Sequence, residues 1–263
     1  MNDTDFHAAR AALVAARRTA RRIDPLSAAF DPAGLDEACR LQRAVAAELG
    51  TVRGWKISGV TAEQQRAMGV PCPLAGPLLE PWVRESGASF ERAALVQPRL
   101  ECEFAFEMKA HLPPRATPYT RAEVEAAIAA LRIGVEIVDT RLPPASSVWM
   151  ELADALNNGA YVVGAESSRW RTLNYAEQGI VLRRRSADGA TNELARGDGR
   201  AVLDGDPVGA VVLLANLPAM RPRGLRAGDI VTTGSCTGAV ALPGAGDIEA
   251  DFGDLGTVHL RFS

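Results

Sequence analysis

The chain has 263 residues, 47% of them hydrophobic, and a formal net charge of −3. No run approaches the 18 or more apolar residues of a membrane span, and the polar, acidic start is unlike a signal peptide, so we expect a cytoplasmic protein without a membrane partner. The negative charge argues against a nucleic-acid-binding surface, and the cluster of Arg17, Arg18, Arg21 and Arg22 is interpreted as one solvated helix face.

The first 52 residues are predicted to form an N-terminal helical region. An Ala/Arg-rich helical pattern runs from Asp5 to about Arg22, and Asp24-Pro25 is expected to stop it. A second helix is predicted over residues 35–49, with Gly50 at its C-terminal cap. A β-rich catalytic domain is predicted from residue 53 to residue 263.

The second region changes to short strands separated by Gly and Pro. Strands are predicted at about 54–58, 98–109, 132–139, 160–164, 180–185, 229–233, 238–242 and 256–262. Helices are predicted at about 61–68, 121–131 and 206–217. This order indicates an α+β fold with a β-rich body, because strict βαβ alternation is absent. The four cysteines are widely spaced and contain no Cys-x-x-Cys, which predicts reduced thiols and no zinc site.

The strand at residues 97–107 carries the clearest chemical signal. Period-2 alternation sends Glu101 and Glu103 to one face, opposite Cys102 and Phe104. Two side chains at i and i+2 are roughly 6.5 Å apart along a strand, so their carboxylates can converge on one small cation. The alternative is an ordinary half-exposed strand whose glutamates pair with Arg99 or with water.

Glu136 lies in the next predicted strand, which is mostly apolar. An ionised carboxylate buried there needs an arginine, hydrogen-bond donors or a metal. Three carboxylates from two strands favour Mg²⁺ or Mn²⁺, since hard ions prefer oxygen ligands. Lys56 and Lys109 are the only lysines in an arginine-rich chain. A lysine can lose its proton when desolvated, so Lys56 is a candidate acid or base, whereas Lys109 is interpreted as a surface charge.

Five segments, taken in order, resemble the fumarylacetoacetate hydrolase superfamily, and more closely its 2-keto-4-pentenoate hydratase and 4-oxalocrotonate decarboxylase branch. The segments begin with Gly54-Trp-Lys-Ile, residues 97–104 and residues 135–141, and continue with residues 159–164 and 225–234. The resemblance covers nearly the whole chain. It implies the C-terminal fold type of that superfamily, preceded by a helical region.

The resemblance also implies site residues. It assigns Glu101, Glu103 and Glu136 to a Mg²⁺ or Mn²⁺ ion, and Lys56 to proton transfer and substrate binding. The turn at residues 232–237 offers hydroxyl and N–H groups to a substrate carboxylate, or is a simple glycine-containing turn. Asp154, Thr233 and Ser235 are the further substrate-binding candidates.

Some positions depart from the pattern of that branch. Leu74 stands where hydratases often have an acidic residue, and residues 153–157 read Ala-Asp-Ala-Leu-Asn where members tend to read Ala-Asp-Asn-Ala-Ser. His7, His111 and His259 do not resemble the His–Glu pair of the hydrolase members.

The resemblance therefore implies a metal-dependent lyase that hydrates a 2-hydroxy-2,4-dienoate in aromatic catabolism. Decarboxylation of a 2-oxo-3-enedioate is the alternative. An acylpyruvate-type hydrolase and a metal-binding subunit without turnover are less favoured. A homo-oligomer and a complex with another enzyme of the same pathway are expected.

Overall fold

The computed structural model describes residues 1–23, 30–144, 146–217 and 222–263. Within these ranges there are six α-helices: α1 (Asp3–Thr19), α2 (Leu35–Leu49), α3 (Ala62–Met68), α4 (Arg121–Ala127), α5 (Val148–Ala153) and α6 (Pro207–Ala215). The same ranges contain thirteen strands: β1 (Val52–Ser58), β2 (Leu74–Leu79), β3 (Val83–Glu85), β4 (Ala88–Phe90), β5 (Pro98–Met108), β6 (Ile128–Asp139), β7 (Asn158–Ser167), β8 (Gly179–Arg185), β9 (Thr191–Asp198), β10 (Ile230–Ser235), β11 (Val240–Ala241), β12 (Gly246–Asp251) and β13 (Thr257–Phe262).

The strands form two mixed sheets. The larger sheet has the order β2-β1-β10-β5-β6-β7-β3, with β11 paired to β5 as its eighth strand. The smaller sheet has the order β4-β13-β12-β8-β9. Most neighbours are antiparallel, while β1 with β10, β3 with β7 and β4 with β13 are parallel. The predicted α+β class, with a β-rich mixed-sheet body, is confirmed.

The long antiparallel pair of β5 and β6 lies at the centre of the larger sheet. Leu100, Cys102, Phe104 and Phe106 are fully buried on one face of β5. Phe104 packs edge-on against Tyr175 and Phe252 of the main core. The predicted alternation is therefore correct, and the glutamates of β5 lie on the face turned away from this core.

The N-terminal helices pack on the body through their own hydrophobic cluster. Phe6 and Leu13 of α1 and Leu41 of α2 meet Met150 of α5 in this cluster. This burial explains why an Ala-rich helix and its neighbour are stable here, since tertiary packing stabilises most helices. The division of the chain at residue 52 stays a prediction.

Arg17 corrects the interpretation of the arginine cluster as solvated. Its side chain is buried and donates hydrogen bonds to the carbonyl groups of Asn158 and Gly159, while Arg18 is exposed. The Arg17 guanidinium also lies 4.2 Å from the centre of the Trp82 ring. Burial lowers the pKa of Arg17 to about 9. Charge spacing alone could not separate this anchoring arginine from its exposed neighbours.

Several predicted boundaries are close to those observed, and others differ. Helix α2 has the predicted bounds, and α1 runs from Asp3 to Thr19 instead of from Asp5 to Arg22. The predicted stop at Asp24-Pro25 lies outside the described residues. Helix α4 ends at Ala127, four residues earlier than predicted, because β6 already begins at Ile128 and pairs with the end of β5.

Strand β2 was missed because Gly76 and Pro77 argue against a strand. It is an edge strand, next to β1 only, and an edge tolerates the lost N–H donor of a proline. The other missed elements are short or polar and carry little periodicity: α5, β3, β4, β9 and β12.

In the described part of the chain, we find no helix with the length and apolar character needed to span a membrane.

Candidate metal centre and its cavity

Three glutamates from two adjacent strands converge on one point. One carboxylate oxygen each from Glu101, Glu103 and Glu136 lies within 4.8 Å of the other two. Alternation along β5 brings Glu101 and Glu103 to the same face, and the strand register places Glu136 directly opposite Glu101. Glu103 and Glu136 are 1% and 0% exposed, and Glu101 is half-buried. The long straight pairing of β5 with β6 therefore builds a compact carboxylate group.

Neighbouring donors hold two of these carboxylates in place. Glu136 Oε1 accepts hydrogen bonds from Lys56 Nζ at 2.8 Å and from Asn158 Nδ2 at 2.9 Å. The backbone N–H of Gly234 donates to Glu103 Oε2 at 3.0 Å. Lys56 comes from β1 and also donates to the Leu156 carbonyl at 3.2 Å. Contacts from β1, β7 and β10 thus fix the orientation of side chains on β5 and β6.

The negative charges of the three carboxylates repel one another when no cation lies between them. Burial raises the pKa of Glu103 well above its ordinary value of 4.5, and the charges of Glu136 and Glu101 raise it further. The pKa of Glu101 is raised by burial and then by Glu136. Burial lowers the pKa of Lys56, but the charges of the three glutamates outweigh it, so that this pKa lies above its ordinary value. Buried negative charge therefore favours uptake of a proton or of a cation.

The residues fit a divalent metal ion. Glu136 Oε2 is buried and has no hydrogen-bond partner in the described part of the chain. An unpaired buried carboxylate oxygen is costly, and a cation would satisfy it. Three carboxylates and one ammonium carry a formal charge of −2, which a divalent ion balances. Ligands of one Mg²⁺ at about 2.1 Å each are at most about 4.2 Å apart, so only small side-chain movements are needed.

A cavity of about 590 Å³ opens beside the cluster of three carboxylates. Its lining includes Lys56, Glu101, Glu103, Thr233 and Ser235. The Ser235 hydroxyl is buried and lacks a partner among the residues described, whereas the Thr233 hydroxyl donates to the Phe104 carbonyl at 2.9 Å. The Thr232 hydroxyl also lacks a partner in the described part of the chain but does not line the cavity, so Ser235 is the cavity-lining turn residue with an unpaired hydroxyl.

The turn at residues 232–237 differs from its expected role in one respect. The Gly234 N–H, one of the backbone donors expected to meet a substrate carboxylate, is used by Glu103 instead. Gly234 has a φ of +108°, a conformation that favours glycine. The turn therefore helps to position a carboxylate of the group as well as contributing to the cavity wall.

Asp154 is placed away from the cavity, contrary to its expected role in substrate binding. Its side chain is 3% exposed, does not line the cavity and forms a 2.8 Å ion pair with Arg141. Arg141 is 2% exposed and also lies 3.8 Å from Asp139. A buried arginine needs counter-ions, which gives Asp154 a structural task. We therefore omit Asp154 from the substrate contacts.

Three polar residues near the site were not singled out from the sequence as site residues. Asn158 orients Glu136, and its only signal was a polar amide at the start of a buried strand. Glu151 and Asn157 line the cavity. The segment between them turns sharply, with Ala155, Leu156 and Asn157 all in the left-handed region, and no local sequence signal predicts this turn. All three histidines are exposed and lie outside the cavity lining.

Curated relatives match most of the chain. A 2-keto-4-pentenoate hydratase of Dechloromonas aromatica is 30% identical over 261 residues, which cover 97% of this chain and 97% of the relative. A 4-oxalocrotonate decarboxylase of Pseudomonas putida is 29% identical over 211 residues, or 80% of this chain and 76% of the relative. No protein-family model matches the sequence.

Solved structures share the fold. The 4-oxalocrotonate decarboxylase from Pseudomonas putida G7, complexed with magnesium and adipate, has a TM-score of 0.86 at 24% identity and covers 100% of this chain and 99% of its own. A fumarylpyruvate hydrolase from Pseudomonas aeruginosa, in complex with Mn²⁺ and pyruvate, has a TM-score of 0.53 at 15% identity and covers 80% of this chain and 88% of its own. These two likenesses concern the fold.

Proposed function

This chain belongs to the 2-keto-4-pentenoate hydratase and 4-oxalocrotonate decarboxylase branch of the fumarylacetoacetate hydrolase superfamily, and on that basis we propose that it is a divalent-metal-dependent lyase of aromatic catabolism. Its reaction is the hydration of a 2-hydroxy-2,4-dienoate, through the 2-oxo tautomer, to a 4-hydroxy-2-oxo acid. The observation that carries this proposal is the convergence of Glu101, Glu103 and Glu136 beside Lys56 at the cavity wall.

The three glutamates are the residues that would hold Mg²⁺ or Mn²⁺. When bound, the ion supplies positive charge to the carboxylate and 2-oxygen of a 2-oxo acid and so stabilises the enolate. Gly234 and Asn158 orient two of the ligands through their N–H groups. The burial of Glu103 and Glu136 limits the access of water to their charges.

Lys56 is proposed to move the proton at C3 of the substrate. Its ammonium is 2.8 Å from Glu136 and is held between that carboxylate and the Leu156 carbonyl, so its position is fixed at the cavity wall. An amine in this position can accept and return a proton, whereas a guanidinium stays charged. Ser235, Thr233 and Lys56 are the proposed substrate contacts, with Ser235 offering the unpaired hydroxyl.

Decarboxylation of a 2-oxo-3-enedioate is the second candidate. Leu74, at the position where hydratases often have an acid, is fully buried and does not line the cavity. Protonation of a dienolate after loss of CO₂ makes smaller demands on water activation than hydration does. The same carboxylate group and Lys56 would serve this reaction.

The two reactions are separated by their products. Purified protein with Mg²⁺ is given 2-hydroxypenta-2,4-dienoate or 2-oxohex-3-enedioate, and the products are followed by NMR and CO₂ release. We expect 4-hydroxy-2-oxopentanoate from the dienoate, and loss of its formation when EDTA removes the metal. CO₂ release from the enedioate without hydration of the dienoate would support the second candidate. Failure of both substrates with metal present would contradict the proposal.

The proposed cellular setting is the cytoplasm, which agrees with four cysteines that are all free thiols. A homo-oligomer and association with another enzyme of the same pathway are proposed as well. Light scattering after size-exclusion chromatography checks the oligomer, and a single-chain mass would contradict it.

A further inference from the structure

Glu151 is an acidic residue of the cavity wall that lies outside the three-glutamate group. It is carried by α5, whereas Glu101, Glu103 and Glu136 belong to the sheet. The ionisable residues in the cavity lining are Lys56, Glu101, Glu103 and Glu151. Within the described residues, no ion pair involves Glu151. The metal-binding proposal and the role proposed for Lys56 leave this carboxyl group unused.

Asn157 is the polar neighbour of Glu151 in the same wall. Its side chain is close enough to the Glu151 carboxyl to lower the pKa of that group, while its Oδ1 atom is buried and has no partner in the part of the chain described. An amide oxygen and a carboxylate next to each other both accept hydrogen bonds. Water has two O–H donors and can therefore donate to both members of such a pair.

The surroundings of Glu151 suit a group that exchanges a proton. Burial raises its pKa above the ordinary 4.5, against the opposing effects of the Asn157 hydrogen bond and the Lys56 charge. A carboxylate that is partly desolvated is a better base than one at the surface. Leu74 supplies no acid to the cavity, so the wall has one available carboxyl outside the metal group.

We propose that Glu151 is the acid–base group of water addition and that Asn157 holds the attacking water beside it. This inference rests on the proposed hydratase function. In the step, the water oxygen forms a bond to C4 of the 2-oxo-3-enoate while one O–H bond of the water breaks and its proton passes to the Glu151 carboxylate. The C3–C4 π pair moves to C2–C3 and the carbonyl pair to the 2-oxygen, giving an enolate.

The proton balance closes over a full turnover. Conversion of the dienol to its 2-oxo form moves the 2-hydroxyl proton to C5 and leaves the Lys56 ammonium and the Glu151 carboxylate unchanged. After water addition, the enolate takes a proton at C3 from the Lys56 ammonium. The Glu151 carboxylic acid formed from the attacking water then returns its proton to the Lys56 amine through solvent, so both residues end in their starting states and one water is added.

The test separates water addition from chemistry at C3. Glu151→Gln keeps the size of the side chain and removes its basicity. With Mg²⁺ present, we expect this variant to exchange the C3 hydrogens of pyruvate in D₂O at nearly the wild-type rate, followed by NMR. Its hydration of 2-hydroxypenta-2,4-dienoate should fall by roughly 10²-fold or more, as for loss of a general base. Asn157→Ala should lower hydration by a smaller factor and also keep the exchange.

Glu63→Gln is the matched control, because Glu63 is exposed on α3 and does not line the cavity. It should leave both rates unchanged. If wild-type protein hydrates the dienoate and Glu151→Gln does so equally well, the inference is overturned while the proposed function stands. If Glu151→Gln loses Mn²⁺ binding, pyruvate C3 exchange and hydration together, Glu151 has a structural role and the inference is again overturned. Wild-type protein that hydrates no dienoate would overturn the proposed function, and the inference with it.

Discussion

At the scale of single residues, a substitution of Lys56 can distinguish a role in proton transfer from a role as a fixed positive charge. Its ammonium is buried against Glu136 at 2.8 Å. Lys56→Arg should keep Mn²⁺ binding and much of the affinity for oxalate, yet lose roughly 10²-fold or more in turnover, because arginine stays protonated. Lys109→Arg is the control. Lys109 is the other lysine and is exposed, so this variant should retain full activity. Wild-type turnover in Lys56→Arg would remove Lys56 from the proton-transfer step.

The buried carboxylates predict a pH-dependent effect of the metal on stability. Burial and neighbouring charges raise the pKa of Glu103 in the folded protein above the ordinary 4.5. The protonated acid therefore contributes stability below pH 4.5, and this contribution is lost as the pH rises through the raised folded pKa. A bound cation replaces the proton, and binding releases it.

The melting temperature should consequently fall in metal-free protein as the pH rises above 4.5, and the gap to the Mn²⁺-loaded protein should widen. Calorimetric titrations of Mn²⁺ in two buffers of different ionisation enthalpy should show proton release. A gap that does not change with pH, together with no proton release, would contradict this assignment of the carboxylate group.

The sequence predicted much of the site at this scale. Period-2 alternation is enough to bring Glu101 and Glu103 to one face, because it depends only on strand geometry. Asn158, which donates to Glu136, and Glu151 in the cavity wall were missed because their positions depend on the left-handed turn between α5 and β7. Asp154 was expected near a substrate, whereas the structure pairs it with Arg141, an arrangement that follows from burial that no spacing reveals.

At the scale of elements, the close approach of β6 to β7 supports the metal centre. Gly134 of β6 faces Glu103 in the register, and a Cβ atom there would lie 2.1 Å from the Tyr161 hydroxyl oxygen. Gly134→Ala must push Tyr161 or the strand aside, and we expect a loss of about 1–3 kcal/mol in the free energy of unfolding. Mn²⁺ affinity should fall as well, because Glu136 is two residues away.

The matched control is Gly179→Ala at the start of β8, where a Cβ atom would meet nothing within 4 Å. Its free energy of unfolding in urea should stay close to that of wild type, and its Mn²⁺ affinity should not change. Equal stability and equal affinity of Gly134→Ala and wild type would show that the strands can separate there without cost.

Local signals decided which elements were predicted. The Thr120 and Glu123 capping box marks the start of α4 correctly, because it acts within one turn. The end of α4 is set by pairing of β6 with β5, a contact distant from the local pattern. Strand β2 escaped prediction since a proline is compatible with a strand only at an edge, and edge position is a property of the sheet.

At the scale of the whole molecule, Arg17 joins the N-terminal helices to the metal-bearing sheet. It donates to the carbonyl groups of Asn158 and Gly159, and Asn158 in turn orients Glu136. Arg17→Met keeps an apolar stem near Trp82 but removes the Arg17 hydrogen bonds from both carbonyl groups. The Asn158 carbonyl then keeps the 3.3 Å hydrogen bond from Arg141, and the positive charge of Arg17 is lost from the buried charge network. We expect a loss of about 2–4 kcal/mol in the free energy of unfolding.

Arg18→Met is the control for this anchor, because Arg18 is exposed and adjacent in the same helix. Urea denaturation should show a change below about 0.5 kcal/mol for this surface substitution. If Arg17→Met and Arg18→Met are equally stable, the N-terminal helices are held by their apolar cluster alone.

The fold class and the family were predicted correctly at this scale, because ordered motifs along the chain specify a known topology. The packing of α1 and α2 on α5 was not predicted. It depends on apolar residues such as Phe6 and Met150, which are far apart in the sequence and carry no mutual signal.

The central claim is that Glu101, Glu103 and Glu136 hold one divalent cation, and titration calorimetry with Mn²⁺ tests it most directly. Wild-type protein should bind one ion per chain, and Glu103→Gln should bind it at least tenfold more weakly while keeping its fold, because the amide removes charge from the group without changing its shape. Glu107→Gln, on the same face of β5 but paired with Arg132, should bind like wild type. Unchanged Mn²⁺ affinity in a folded Glu103→Gln variant would contradict the account.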